Sequence, residues 1–321
     1  MKDTKRVIYV CCPANSHTGG PTLAHQLCYK LREQGHEAVM FYYPRKKGVS
    51  PVHEHYAGYG LPYVDKIEDK PQNIMIVPES KLDLLRFKRS IKKVIWWMSV
   101  DFYLRYMKYE RRKFRTLFGL CMFDIRNKNI FHFAQCYYAQ DFLKQQGVEP
   151  SRIFYLSDYL SHEFIADSLG QSLPRRDTVL YNPKKGLEFT QLIIDRAKDL
   201  QWVPLINLTP AEMAEQMRSG KVYIDFGNHP GKDRIPREAA ISGCCVITGR
   251  RGSANYAEDV FIPEEFKFED RKENIDAIVA AIRKLLAGYD EYTSLYEPYR
   301  ERIKNEERQF DEDVKRIFSV L

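Results

Sequence analysis

The hydrophobic pattern of the chain changes period again and again. Residues 6–12 form a short apolar run rich in β-branched and aromatic side chains, which predicts a buried strand. A loop over 13–21 follows and carries Gly19-Gly20. Leu23, Leu27 and Leu31 then recur at helical spacing within 22–34, Gly35 stops that helix, and 37–43 returns to a strand pattern. Strand, glycine-containing turn, helix, glycine and strand make a βαβ unit of the parallel-sheet type. Residues 44–72 are rich in Pro, Gly, His and Lys and keep no period, so they predict a long surface excursion. Beyond them, strands are predicted at 73–77, 94–100, 130–134 and 153–156, with helices at 81–90, 102–118 and 138–146.

A polar stretch over 167–177, with Gly170 and Pro174, reads as a connector, and the alternation then starts again. Strands are predicted at 178–181, 202–206, 222–226 and 244–248. Helices are predicted from 187 to 199, over 210–219 with Thr209 as N-cap, over 236–242 and over 275–287. In the tail, apolar residues at 292, 296, 299, 303, 310, 314, 317 and 321 suit a long amphipathic helix, started or bent at Pro298. Two successive alternating series imply an α/β protein of two doubly wound, Rossmann-like domains, divided near 160/161. Such sheets bind ligands at the carboxyl ends of their strands. Two of them facing a cleft suit a two-substrate reaction.

The 321 residues are enough for two cores. No stretch approaches the roughly 20 apolar residues of a membrane-spanning helix. Residues 1–6 run straight into the first strand with no apolar signal region, so a secretory leader is not expected and a cytoplasmic location is. Seven cysteines, an odd number without C-x-x-C spacing, argue against disulfides or a zinc site and for buried thiols in a reducing compartment. The net charge of +7 is unevenly spread: residues 81–115 carry +9, leaving the remainder at −2. One basic surface on a near-neutral protein points to one anionic contact.

The most informative segment is YIDFGNHPGKDRIPREAAISGCCVITGR, residues 223–250. A strand ends at Phe226, and a basic, glycine-containing loop follows with Gly231, Lys232 and Arg234. Pro236 suits the first helical position, so the helix presents its free N–H groups and positive end to the loop, a site for phosphate. Glu238, placed in the first turn, either compensates the helix dipole or accepts hydrogen bonds from a ribose diol. Residues 236–247 resemble the "EA-x-A-x-G-x-PVI" signature of the retaining glycosyltransferases of type B architecture (GT-B), family 4 or group 1. The resemblance implies that Glu238 binds the donor ribose. Lys185-Gly186, after the first strand of the second series, is similar to that family's "KG", which implies that Lys185 contacts the donor diphosphate. Gly19-Gly20, with the helix and "GHEA" that follow, resembles the family's N-terminal opening and implies close backbone approach to acceptor or phosphate. His36 of "GHEA" is read as structural. The resemblance also implies an acceptor domain over 1–160, a donor domain over 161–297, and a helix near 298–321 that packs back on the first.

The chain departs from that pattern in two places. Eight residues before Glu238, where many members carry a second glutamate, stands Pro230, with His229 before it. The family's catalytic histidine is also missing. The comparable strand end reads WWMSVD, where Asp101 is either a general base for an acceptor hydroxyl or a cap for the next helix. His132, inside a strand, is read as a satisfied core residue. No G-x-G-x-x-G follows the first strand and no G-x-x-x-x-G-K-[ST] occurs, so neither a nicotinamide cofactor nor a P-loop is expected. Transfer from a nucleotide-diphosphate sugar, itself a substrate rather than a cofactor, is expected to need no metal. Lys185, Lys232, Arg234 and helix N–H groups would neutralise the leaving nucleotide. Two other readings stay open: a nucleotide-sugar epimerase of the same fold, and a silent nucleotide-binding subunit.

Residues 102–118, FYLRYMKYERRKFRTLF, interleave aromatic and basic side chains. They read either as an ordinary core helix or as a helix lying on an acidic membrane surface, which would suit a lipid-linked acceptor. No nucleic-acid recognition motif accompanies them, and nucleic acid is not expected as a partner.

Overall fold

A computed structural model of the chain describes residues 6–115, 124–170 and 173–321. The chain forms two compact units, one of residues 1–158 with 310–321 and one of residues 159–309.

The first unit contains the strands β1 (Val7–Pro13), β2 (Glu37–Tyr43), β3 (Ile74–Pro78), β4 (Lys92–Trp97), β5 (Ile130–Ala134) and β6 (Ile153–Tyr155). They make one sheet in the order β2-β1-β3-β4-β5-β6, and every pair is parallel. The helices are α1 (Gly19–Glu33), α2 (Val100–Arg115) and α3 (Tyr137–Gln145). The central strands β1, β3 and β4 are apolar on both faces because helices cover both, the expected state of a parallel sheet. His132 on β5 is fully buried, as expected of a core histidine; its Nδ1 accepts a hydrogen bond from Trp97 Nε1 at 3.0 Å, while its buried Nε2 has no such partner among the described residues.

The second unit contains β7 (Arg176–Tyr181), β8 (Gln201–Pro204), β9 (Gly220–Asp225), β10 (Cys245–Gly249) and the short β11 (Lys267–Phe268), again all parallel, in the order β11-β10-β9-β7-β8. Around it lie α4 (His162–Leu169), α5 (Leu187–Arg196), α6 (Pro210–Ser219), α7 (Arg234–Ile241), α8 (Ile275–Ala287), α9 (Tyr289–Tyr292) and the first part of α10 (Glu297–Val320). Both sheets are doubly wound, so the α/β reading of the sequence stands. The apolar stripe of the tail is half-buried at Tyr292 and buried from Tyr296 onward: Tyr296, Tyr299 and Ile303 in the second unit, Phe310, Val314 and Ile317 in the first. The six cysteines among the described residues are all buried thiols, and Cys121 lies outside those residues.

Several sequence expectations need correction. Gly19 and Gly20 are not loop residues but open α1, after Thr18 as N-cap, with the first helical bond from Thr22 N to Thr18 O at 3.1 Å. Pro21 is the third helical residue, where a missing N–H breaks no intrahelical bond. The helix predicted over 81–90 shrinks to one 3-10 turn, Leu82–Leu85. The Asp69 carboxylate accepts from the backbone N–H groups of Arg89, Ser90 and Ile91 at 2.8–3.0 Å, which holds the rest as a loop. The connector over 167–177 contains the end of α4, whose N-cap Ser161 accepts from Phe164 N, and residues 171–172 lie outside the description. The predicted 102–118 helix begins two residues earlier, at Val100, and its last residues, 116–118, are likewise outside the described residues.

Candidate functional site

In a doubly wound sheet the crevice for a ligand opens at the carboxyl edge where the strand order reverses. In the second unit that point lies between β7 and β9, with β10 on the far side of β9. The loops after these three strands close on one another there.

After β7, Asn182 Oδ1 accepts from Lys184 N at 3.0 Å and turns the chain into Lys185-Gly186. Gly186 has φ +63°, and a Cβ at that position would run into the Phe226 carbonyl of the next loop. Both the left-handed backbone and the contact demand glycine. Across from it, a Cβ on Gly227 would sit 2.6 Å from Lys185 Cβ, so the lysine stem is fixed against a bare backbone. The Lys185 ammonium reaches Asp233 Oδ2 at 2.7 Å. From the β10 side, Gly252 at φ +59° lets Ser253 N donate to His229 O at 2.9 Å, while Ser253 Oγ donates to Gly231 O at 2.7 Å.

The loop after β9 holds a buried ionic chain. Asp225, 2% exposed, accepts from Gly227 N at 2.9 Å and from Tyr223 Oη at 2.8 Å. His229, wholly buried, sets Nε2 3.5 Å from Asp225 Oδ1 and Nδ1 3.4 Å from Asp233 Oδ2. Burial pulls the His229 pKa down, but the two carboxylates outweigh it and hold the ring above its ordinary 6.5. For Asp225 burial works upward, yet His229 and the two donors win and its carboxyl stays below the ordinary value. The Tyr223 hydroxyl is pushed far up by burial and by the Asp225 charge.

Helix α7 starts at Arg234, with Asp233 as N-cap. Pro236 is therefore its third residue rather than its first, still within the turn whose N–H groups have no intrahelical acceptor. Glu238 falls in the second turn, not the first, 14% exposed, with its Oε1 3.3 Å from Arg234 Nε. Asp233 makes no side-chain bond to its own helix, which leaves the amide end without the usual carboxylate cap. One edge of the second unit thus gathers an ammonium group, a helix N-terminus and a carboxylate one turn further in. Cation and amides suit a pyrophosphate, and a carboxylate at that distance suits a diol.

No family model and no curated protein matches the chain by sequence. Solved structures match it over nearly its whole length. A glycosyltransferase from Rickettsia africae ESF-5 is 10% identical with a TM-score of 0.64, over 99% of this chain and 98% of that one. Anabaena Alr3699/HepE in complex with UDP-glucose is 9% identical with a TM-score of 0.62, over 98% of this chain and 100% of that one. Sucrose-phosphate synthase from Thermosynechococcus elongatus is 12% identical with a TM-score of 0.63, over 99% and 100%. The chain has the GT-B glycosyltransferase fold.

Within this GT-B fold, Lys185, Gly231, Lys232, Arg234 and Glu238 all lie in the loops at the carboxyl edge of the second sheet or at the start of α7. The Lys232 ammonium, 8% exposed, lies 2.8 Å from Glu306 on α10, which also takes Arg237 at 2.7 Å. Gly19, Gly20 and Asp101 belong to the first unit. A Cβ on Gly20 would meet Met98 Sδ at 3.3 Å, whereas Gly19 borders open space. Asp101 does not end a strand. It is the second residue of α2, half-buried, and the helix end is capped instead by Ser99 Oγ accepting from Phe102 N at 3.2 Å. The chain's one Asp-x-Asp, Asp311-Glu312-Asp313, is helical in α10, with Gln34 donating to Asp311 and Arg316 paired with Asp313 at 2.7 Å. Among the described residues no group of three or more His, Cys, Asp or Glu is placed to hold a metal ion, and no helix is long and apolar enough to cross a membrane. Sequence reasoning missed Asp225 and Asp233, and saw His229 only as the neighbour of an absent glutamate. Their four-residue spacing, D-x-x-x-H-x-x-x-D, was the available signal.

Proposed function

We propose that the protein is a glycosyltransferase whose second unit binds a nucleotide-diphosphate sugar and whose acceptor is a saccharide or lipid-linked saccharide of a cell-surface polymer. The observation that carries this reading is the meeting of Lys185, the uncapped end of α7 and Glu238 at the β7/β9 reversal. Lys185, Arg234 and the first amides of α7 hold the diphosphate, and Glu238 accepts from the ribose hydroxyls. As the glycosidic bond to the diphosphate breaks, the same cations and amides take up the charge on the departing nucleotide, with no divalent metal required. Asp101 serves as the base toward the acceptor hydroxyl. The GT-B fold and the UDP-glucose named with Alr3699/HepE support the donor class.

Calorimetry with UDP, ADP and GDP and their hexose conjugates tests the donor site. Binding of one series is expected, and Glu238→Ala should weaken it by about 1.5–3 kcal/mol, the worth of hydrogen bonds to a charged group, without unfolding the protein. An unchanged affinity removes Glu238 from the site. Turnover then separates the three activities. Nucleotide released only with acceptor present means transfer, a changed sugar without acceptor means epimerase, and binding without turnover over a broad panel means a silent subunit. EDTA should leave the rate of transfer unchanged.

The reading places the protein at the inner membrane face through residues 102–118. Phe102 and Leu104, 54% and 49% exposed, stand beside Arg105 and Lys108 on α2 and support this. Sedimentation with acidic vesicles at low salt, absent with neutral vesicles and at high salt, is the expected result. Failure to sediment at low salt removes membrane attachment but not transfer.

A further inference from the structure

The buried chain Asp225–His229–Asp233–Lys185 has a feature that simple packing does not require. Both ring nitrogens of His229 face a carboxylate oxygen, at 3.5 and 3.4 Å. A neutral imidazole has one N–H and one lone pair, so one nitrogen would meet a carboxylate lone pair to lone pair. Protonation of a carboxylate would relieve this, but each acid already receives other donors: Asp225 from Gly227 N and Tyr223 Oη, Asp233 from Lys185 Nζ. A doubly protonated ring turns an N–H and a positive charge toward each carboxylate, at ion-pair rather than hydrogen-bond distance. Asp233, the N-cap of α7, meanwhile gives its carboxylate to His229 and Lys185 instead of to its own helix.

We infer that His229 is held as the imidazolium and is the positioning residue of this site, bridging Asp225 and Asp233 so that the end of α7 stays open and Lys185 stays placed for a diphosphate. The inference rests on the donor-site reading above. The charged groups facing His229 are Asp225 from the end of β9, Asp233 from the start of α7 and Lys185 from the loop after β7. From the β10 side, Ser253 N donates to the His229 carbonyl. With the ring charged, these four groups sum to zero. Once the proton leaves, they sum to −1, Asp233 is released toward the helix end, and an incoming diphosphate meets an uncompensated carboxylate. The ring's pKa is raised above 6.5, so this loss comes as pH rises above that value.

The test is calorimetric binding of UDP-, ADP- and GDP-glucose, whose diphosphates carry no proton to lose between pH 6 and 8.5. For whichever donor binds, wild-type affinity should fall about tenfold across that range, the size of one nearby charge change at the protein surface. His229→Gln should bind about tenfold more weakly at pH 6 with a flat profile. Asp233→Asn, which removes the carboxylate that deprotonation of His229 would release toward the helix end, should also lose the slope. Imidazole NMR of the ligand-free protein, with the His229 signal assigned by its loss in His229→Gln, should show a charged ring at pH 6.5. Binding without a slope in the wild type, or a neutral ring at pH 6.5, overturns the inference alone. No binding of any donor at any pH overturns the donor reading and this inference together.

Discussion

At the scale of single residues, Glu79 shows what burial does to a carboxyl that no motif announces. It follows β3, is 2% exposed, and accepts from Met98 N at 3.0 Å. Burial pushes its pKa up to about 7 against these backbone donors. A raised carboxyl pKa means stability that is complete below the unfolded value near 4.5 and lost as pH climbs to 7. Glu79→Gln, which can still accept from Met98 N, should therefore match wild type at pH 4 and exceed it by about 3 kcal/mol at pH 8. Urea midpoints across that range check this, and equal midpoints at pH 8 would dismiss it. Glu79 was invisible in the sequence because a glutamate after a strand is ordinarily a surface residue. His132 was legible because a histidine inside an apolar strand has few other fates. Gly186 was legible only through its KG pairing. Besides its left-handed backbone, the need for glycine there comes from the Phe226 carbonyl, some 40 positions away, which no local pattern encodes.

At the scale of elements, the spacing of apolar residues located helices well and their ends less well. Helices α6 and α8 fall where predicted, at Pro210–Ser219 and Ile275–Ala287. For α6 the start is written locally: Thr209 accepts from Glu212 N while Glu212 accepts from Thr209 N, a full capping box. Thr209→Ala should cost about 1 kcal/mol in chemical denaturation of the second unit. A change near zero would mean that the exposed box adds nothing beyond solvent. Helix α7 shows the opposite case. Proline at the first helical position is the commonest arrangement, yet Asp233 starts the helix two residues earlier, because its own partners lie in the tertiary structure, at His229 and Lys185. That shift moved Glu238 from the first turn to the second. The cap and the buried histidine are one feature, and a reading confined to local signals could not see it.

At the scale of the whole molecule, the alternation of strand and helix was enough to give two parallel sheets, because parallel pairing with short loops leaves few other arrangements. The assignment of the tail needs the tertiary structure. Helix α10 begins in the second unit and ends in the first, where Phe310, Val314, Ile317 and Phe318 are buried. Phe318 stacks edge-on against Phe133 with ring centres 5.8 Å apart, its carbonyl accepts from Arg6, and Gln34 donates to Asp311 at 2.9 Å. Each of those four apolar side chains is worth roughly 1.5–3 kcal/mol of burial. Together they rival the 5–15 kcal/mol that typically holds a whole domain. The second unit keeps its own share of the helix, Tyr296, Tyr299 and Ile303, inside its core. A chain ended after Gln309 should therefore lose amide hydrogen-exchange protection in β1–β6 while β7, β9 and β10 keep theirs. It should still bind the donor through residues of the second unit. Uniform loss of protection in both sheets would show that the units do not fold separately. Full retention in both would show that the last turns of α10 contribute little.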